Sequence, residues 1–569
     1  MNRKGIKGDI RLKSWIQFLV TVAFIIVIAS ASSLLRIRID LTGDKRYTLS
    51  QPTLKALGDI KNDIYVQVYL DGEMPVPLKR LRRSVREMLD EFRIASGRKI
   101  DYEFINPADT KDAVQREAQY TALYNKGLNP VNIQVSDGEG GRTQKMIFPG
   151  MIINYNNIEV PVNFLKNNPS VSYEQNILHS IEGLEYEMIQ TIATVTSDTI
   201  YKVAFLEGHG ELAEIDVADI TINLAKFFTI DRGSINARAG VLDTYAAVIV
   251  ADPVTEFSEA DKLVLDQYIM NGGKVMWLAE QVEVNSDSLV TGETVGLYRP
   301  LNIEDQLFRY GVRINPELIQ DLDCMVIRMS VSTGEQNQVV PAQWFYYPKL
   351  YPSQDHPITR NINRIKGQFV NTIDTVGLDP GIRKTILLST SDRAKTLTPP
   401  LIIRLNEAGQ IPDEQTFNKS RLPVAVLLEG VFPSAFKNRM TENLLADKTL
   451  KVKTESVENK MIVIADGDII RNDVRRLGNT GTPYPLGQDR VTGEMMGNRD
   501  FIVNSLNYLV DDHGIMELRS RELKMRLLDR TRIKNERTLW QFINIAVPVL
   551  IIIIAGLIYG FFRRKIYVK

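Results

Sequence analysis

The chain has 569 residues, and its 69 lysines and arginines are matched by 69 aspartates and glutamates. A formal net charge of zero removes any bulk electrostatic case for nucleic acid or an acidic substrate. The single cysteine, Cys324, excludes an intramolecular disulfide and a cysteine-based zinc site.

Residues 15–35, "WIQFLVTVAFIIVIASASSLL", carry no charge. As a helix they span roughly 30 Å, the depth of a bilayer's hydrocarbon core. The basic start and "ASA" at 29–31 also fit a cleaved signal peptide, but the apolar run continues to Leu35 and favours a retained anchor. A helix start follows at Ser50, a candidate N-cap, with Leu54 and Leu57 opening an apolar stripe. The strand "IYVQVYL" (64–70), a helix over 77–97 and the strand "KIDYEFINP" (99–107) predict a βαβ unit. Leu78, Leu81, Val85, Leu89 and Phe92 recur at helical spacing and mark the helix's buried face. Strands "VNIQVS" and "FPGMIINYNNIEVPV" and a helix over 175–196 complete a first α/β region.

From residue 201 the alternation becomes plainer. "YKVAFL", "AAVIVADP" and "KVMWLAE" are apolar runs of the kind that parallel strands buried on both faces require. A helix capped by Ser258 and ended near Gly272 separates the last two. With "KTILLST", "VAVLLEG" and "MIVIADGDII" they predict an open, mostly parallel sheet. Residues 539–562, "LWQFINIAVPVLIIIIAGLIYGFF", form a second membrane-length run after a segment rich in arginine. Lysines and arginines flank both runs almost evenly, so charge alone does not orient the chain; the short basic tails favour cytoplasmic termini.

The expected division is a cytoplasmic N-terminus (1–14), a transmembrane helix (15–35), two α/β ectodomains (36–196 and 197–512), a charged juxtamembrane helix (513–538), a second transmembrane helix (539–562) and a cytoplasmic tail (563–569).

"FLEGHGE" (205–211) falls where a parallel strand ends, the place at which open α/β sheets gather ligands. Its glycines fit G-x-G-x-x-A, with Asp231 about twenty residues on as a ribose acid. Glu207, Glu211, Glu214 and Asp216 would repel a pyrophosphate there, which argues against a nucleotide. Three readings stay open: a metal held by Glu207, His209 and Glu211; an acid–base pair of His209 with Glu207; and a tight turn with His209 hydrogen-bonded inside. Glu207, Gly208, His209, Gly210 and Glu211 are therefore candidates for contact with a ligand or partner. No catalytic residue, metal or cofactor is assigned. Cys324 reads as a buried thiol, and Asp466 and Asp468 of "VIADGDII" as a strand-ending turn rather than a metal site. The P-loop pattern G-x-x-x-x-G-K-[ST] is missing from the sequence, so the chain does not hydrolyse ATP by that device.

Several stretches together resemble the GldG family, the gliding-associated auxiliary components of an ABC transporter in Bacteroidota. They are "IDLTGDKRYTLS" after the first apolar run, "FLEGHGE", "VIVADPVTEFSEADKLVLDQYIMNGGKVMWLAE" and the C-terminal "RSRELKMRLLDRTRIKNERTLWQF" with the apolar run behind it. The resemblance implies a cytoplasmic-membrane protein with a large periplasmic part, working with a permease (GldF) and an ATPase (GldA). It also implies a central domain similar to class I glutamine amidotransferase-like folds, here without that class's nucleophilic cysteine. The expected function is a non-catalytic auxiliary subunit. A ligand- or glycan-binding protein, or a metal-dependent hydrolase using 205–211, is the alternative.

Overall fold

The computed structural model describes residues 15–16, 18–27, 48–110, 112–137, 141–165, 171–197, 200–333, 336–377, 381–439, 452–477, 480–520 and 535–567. They fall into two compact units, one within Met1–Arg521 and one within Glu522–Lys569.

The first unit opens with helix α1 (Gln51–Gly58), whose first turn is capped by the Ser50 side chain accepting from the Thr53 N–H. Strand β1 (Ile64–Val68), helix α2 (Val76–Ala95) and strand β2 (Ile100–Phe104) form the expected βαβ unit, with β1 and β2 parallel. All five stripe residues of α2 are fully buried, so the 3.6-residue period did place this helix on its sheet. Helix α3 (Ala113–Asn125) and the hairpin β3 (Val131–Asp137) and β4 (Gly141–Ile147) follow. Strands β5 (Gly150–Tyr155) and β6 (Ile158–Asn163) complete a sheet of order β2-β1-β5-β6. The helix expected over 175–196 is two helices, α4 (Tyr173–Glu182) and α5 (Leu184–Thr196), meeting at Gly183. The Glu185 carboxylate on α5 accepts from the Ser50 N–H at 2.9 Å and the Thr53 hydroxyl at 2.7 Å, pinning α1 to α5.

The large sheet is built from β7 (Lys202–Glu207), β8 (Thr229–Ser234), β9 (Ala247–Ala251), β10 (Lys274–Leu278), β11 (Cys324–Thr333), β12 (Gln336–Pro352), β13 (Ile382–Ser389), β14 (Pro423–Pro433) and β15 (Glu455–Ile464). Their order is β11-β12-β13-β14-β15-β10-β9-β7-β8, with Ile365–Lys366 pairing on β12. Strands β15, β10, β9, β7 and β8 run parallel, while β11 to β15 pair antiparallel. The expectation of a mostly parallel sheet is thus corrected to a mixed one. Its error has a physical cause: the run Val424–Leu428 is buried throughout, and burial on both faces gives a continuous apolar run whichever way the neighbours point. Helices α6 (Ala218–Leu224), α7 (Glu259–Met270) and α8 (Asn498–Val510) belong to this part. Ser258 caps α7, accepting from the Asp261 N–H.

In the second unit helix α9 runs from Arg537 to Tyr567, with Pro548 inside it. Its segment Arg537–Phe562 has 26 residues and mean hydropathy 2.7, long and apolar enough to cross a membrane. Among the described residues it alone meets that test. The N-terminal run gives an apolar helix over Phe18–Val27; residues 28–35 of the expected span lie outside the described residues. In the expected juxtamembrane helix, Ile515–Ser520 is a 3-10 turn and 521–534 lie outside the described residues.

Candidate functional site

The loop 205–211 leaves the end of β7 as the sequence suggested. Gly208 and Gly210 hold φ of +116° and +76°, a left-handed backbone that glycine adopts without strain. A Cβ on Gly210 would also stand 2.3 Å from Val254 Cγ2, so this turn is pressed against the loop after β9. The His209 carbonyl accepts from the N–H groups of Val254 and Thr255, both at 2.9 Å.

The turn carries the His209 ring inward. It is buried and stacked on Phe257, with centroids 3.7 Å apart and an interplanar angle of 13°. Its Nδ1 lies 3.1 Å from Glu211 Oε1, and its Nε2 lies 3.4 Å from Asp261 Oδ2. The other Glu211 oxygen accepts from the His209 N–H at 2.7 Å. Burial pushes the Asp261 carboxyl up, but hydrogen bonds from the Ala237 N–H, Ser258 and His209 outweigh it and hold the group below its usual value. Glu207 points elsewhere: its carboxylate receives Arg232 Nε at 2.7 Å, and Arg232 Nη2 donates to the Leu212 carbonyl.

The structure therefore brings His209, Glu211 and Asp261 together and leaves Glu207 outside. A Glu207–His209–Glu211 ligand set does not converge, and the acid–base partner of His209 is not Glu207. Both ring nitrogens already face carboxylates, and the ring's face is covered by Phe257. Cys324 sits on β11 in a separate cluster with Phe345 and Phe417, its thiol pushed up to about 12 by burial.

A second polar cluster lies at the carboxyl ends of β9, β10 and β15, and the sequence reading gave it too little weight. Asp252 follows β9, Glu280 lies two residues beyond β10, and Asp466 lies two residues beyond β15. Oxygens of Glu280, Asp466 and Asp468 lie within 4.8 Å of one another. Arg299 Nη1 reaches Asp252 Oδ1 at 2.9 Å; Arg471 reaches Asp252 Oδ2 at 3.0 Å and Asp468 Oδ1 at 2.7 Å. Backbone N–H groups serve the rest: Gly467 donates to Glu280, and Gln368 and Asp468 donate to the two oxygens of Asp466. Gly467 is pressed so closely on Asp252 that a Cβ there would stand 2.5 Å from the Asp252 Cβ.

Burial pushes the Glu280 and Asp466 carboxyls well above the usual range, reinforced by the neighbouring acids. Burial also raises Asp468, to about 6, with Arg471 opposing and Asp252 adding to the rise. The negative charge is thus met by two guanidinium groups, by backbone N–H groups and by retained protons. The chemistry this supports is proton sharing inside a lock across three parallel strands. From sequence, "ADP", "AEQ" and "ADGD" each follow an apolar strand, but only the strand order brings them together.

The two clusters share one loop, since Asp252 and three of the residues against His209, Val254, Thr255 and Phe257, all lie in 252–257. Among the described residues, ion pairs thus line the carboxyl ends of β7, β9 and β15.

Residues 201–505, from the start of β7 into α8, match a family described as "ABC-type uncharacterized transport system". The chain belongs to that ABC transport family. Membership makes it an auxiliary component, working with a permease and an ATPase in a transport system. Residues 43–154 of this ABC transport component match a domain of unknown function (DUF7088), spanning α1 to β5. No curated protein matches the chain. Among solved structures, the chain titled "mmIFT52 N-terminal domain" is similar at 12% identity over 55% of this chain and 98% of that one; its TM-score of 0.31 carries no argument.

Proposed function

We propose that this chain is a non-catalytic, membrane-anchored auxiliary subunit of the GldG type, coupling an ABC transporter in gliding motility to ligand or envelope partners. The match over 201–505 carries this reading. The 26-residue apolar segment of α9 supports a membrane anchor, and a second span over 15–35 would leave both termini cytoplasmic and the ectodomains 36–196 and 197–512 periplasmic. The ion pairs that line the carboxyl end of the sheet support a scaffold rather than an enzyme. On the central domain the similarity to amidotransferase-like folds is part of the same reading. The exposed rim of the 205–211 loop, Glu207, Gly208 and Gly210, is the proposed contact surface for a partner.

The test is affinity purification of the intact, solubilised chain from its native membrane. The reading expects a permease and an ATPase, the counterparts of GldF and GldA, to come down with it. Recovery of neither overturns it.

A further inference from the structure

Helix α2 carries six lysines and arginines against three acids, on a chain that is neutral overall. Lys79, Arg82, Arg83, Arg86 and Arg93 recur at steps of three, four and seven, which gathers them into one stripe about 21 Å long. The core stripe of α2 faces its sheet, so these cations lie on the outer side; Arg82 is half-buried and the other four are exposed.

The stripe is held in place yet open to exchange. The Arg82 and Arg86 guanidinium groups stand over the Phe104 ring at the end of β2, 5.2 and 4.8 Å from its centroid. Arg82, Arg83 and Arg93 meet Asp71, Glu87 and Asp101 in solvent-facing pairs, which give way readily to another anion. Lys79 and Arg86 have no ion pair among the described residues. Two aliphatic side chains bracket the cations: Val76 is 63% exposed and Ile94 49%. About five helical turns separate them, so they share one line of the helix surface beside the stripe.

A purely acidic protein surface would satisfy the charges but leave this aliphatic pair in water. A phospholipid surface satisfies both, with phosphate for the cations and the acyl boundary for valine and isoleucine. Such a surface is also close. Residues 36–49, between the proposed first span and the cap of α1, extend at most about 50 Å, and α1 packs against α2.

We propose that this face of α2 lies on the anionic phospholipid surface of the bilayer that anchors the chain, its cations meeting lipid phosphates and Val76 and Ile94 entering between headgroups. The docking rests on the proposed anchor, but vesicle flotation reads the anchor and a dye on α2 reads the docking, so each can fail alone.

The test uses the full chain reconstituted into vesicles of phosphatidylcholine, with or without phosphatidylglycerol. Cys324 is buried, so Ile94→Cys, or independently Val76→Cys, takes an environment-sensitive dye at one place. With phosphatidylglycerol the dye should shift to the blue and be quenched by lipid-borne nitroxide; with phosphatidylcholine alone it should do neither. Lys79→Gln and Arg86→Gln break no ion pair, and each should lower the ratio of docked to free α2 about five-fold at unchanged circular dichroism. Salt at about 1 M should abolish the docking. An equal response on both vesicles, no response on either, or a response indifferent to salt and to both substitutions would each overturn the proposal. So would a response to soluble polyglutamate without one to phosphatidylglycerol, which would assign the face to an acidic protein.

Discussion

The His209 ring lies flat on the Phe257 ring, 3.7 Å between centroids, with Glu211 at one ring nitrogen and Asp261 at the other. This relationship makes the histidine part of the core that joins β7, the loop after β9 and α7.

Its removal should therefore register as lost stability. His209→Ala leaves two carboxylates without their shared partner and is expected to cost about 1–3 kcal/mol. Phe257→Ala is expected to cost about 3–5 kcal/mol, since the ring is buried and also packs on Trp277. Chemical denaturation of the full chain measures both. A His209→Ala protein that is fully stable yet loses partner recovery would move this residue from core to site.

The buried acid cluster predicts a pH dependence with a definite sign. Glu280, Asp466 and Asp468 have folded values above their unfolded ones. The folded state then holds more protons, and stability falls as pH rises, by up to about 1.4 kcal/mol per pH unit per proton. The window opens near the ordinary carboxylate value of about 4 and reaches about 6 for Asp468, while Glu280 and Asp466 are raised in the same direction by burial. Glu280→Gln keeps an acceptor for the Gly467 N–H and removes one titratable proton. Its denaturation midpoint should decline less steeply than the wild type's across that window. A parallel decline in both would show that Glu280 does not retain its proton.

Gly210→Ala meets both a φ of +76° and the Val254 side chain, and is expected to cost about 1–3 kcal/mol. Gly233, with open space where its Cβ would be, provides the control: Gly233→Ala should stay within about 0.5 kcal/mol. Equal melting temperatures for the two variants would contradict the packing described for the loop.

Glu207 offers a different kind of test. Its pair with Arg232 is partly exposed and is worth less than about 1 kcal/mol. Glu207→Lys should leave the melting temperature nearly unchanged and lower the amount of permease recovered with the chain. Full recovery would remove the loop's rim from the proposed contact surface.

The legible parts of the fold were those in which burial imposes a period. The stripe of α2 and the caps at Ser50 and Ser258 are local signals, and they marked real elements. Helix α3 escaped because it buries only Leu123, so no stripe distinguishes it from a polar connection. The join between α4 and α5 escaped because Gly183 keeps an ordinary right-handed backbone while the chain turns.

For the candidate site, the position of 205–211 at a strand end was readable, as was the inward histidine among the alternatives weighed. Its true partner Asp261 was not, because it comes from the first turn of α7, about fifty residues away along the chain. Asp466 and Asp468 were noticed together, as one strand-ending turn. Their company of Asp252, Glu280, Arg299 and Arg471 depends on the order of strands in the sheet, which no local pattern encodes.

Pro548 gives α9 a property its hydropathy conceals. Lacking an N–H, it leaves the carbonyl of Asn544, one turn earlier, without the donor that every neighbouring carbonyl has. In hydrocarbon such an oxygen seeks a hydroxyl or amide from an adjoining helix. Within a bilayer the segment's backbone would thus carry a polar point for lateral assembly at Asn544, one turn before Pro548, in addition to the small residues Gly556 and Gly560 further along.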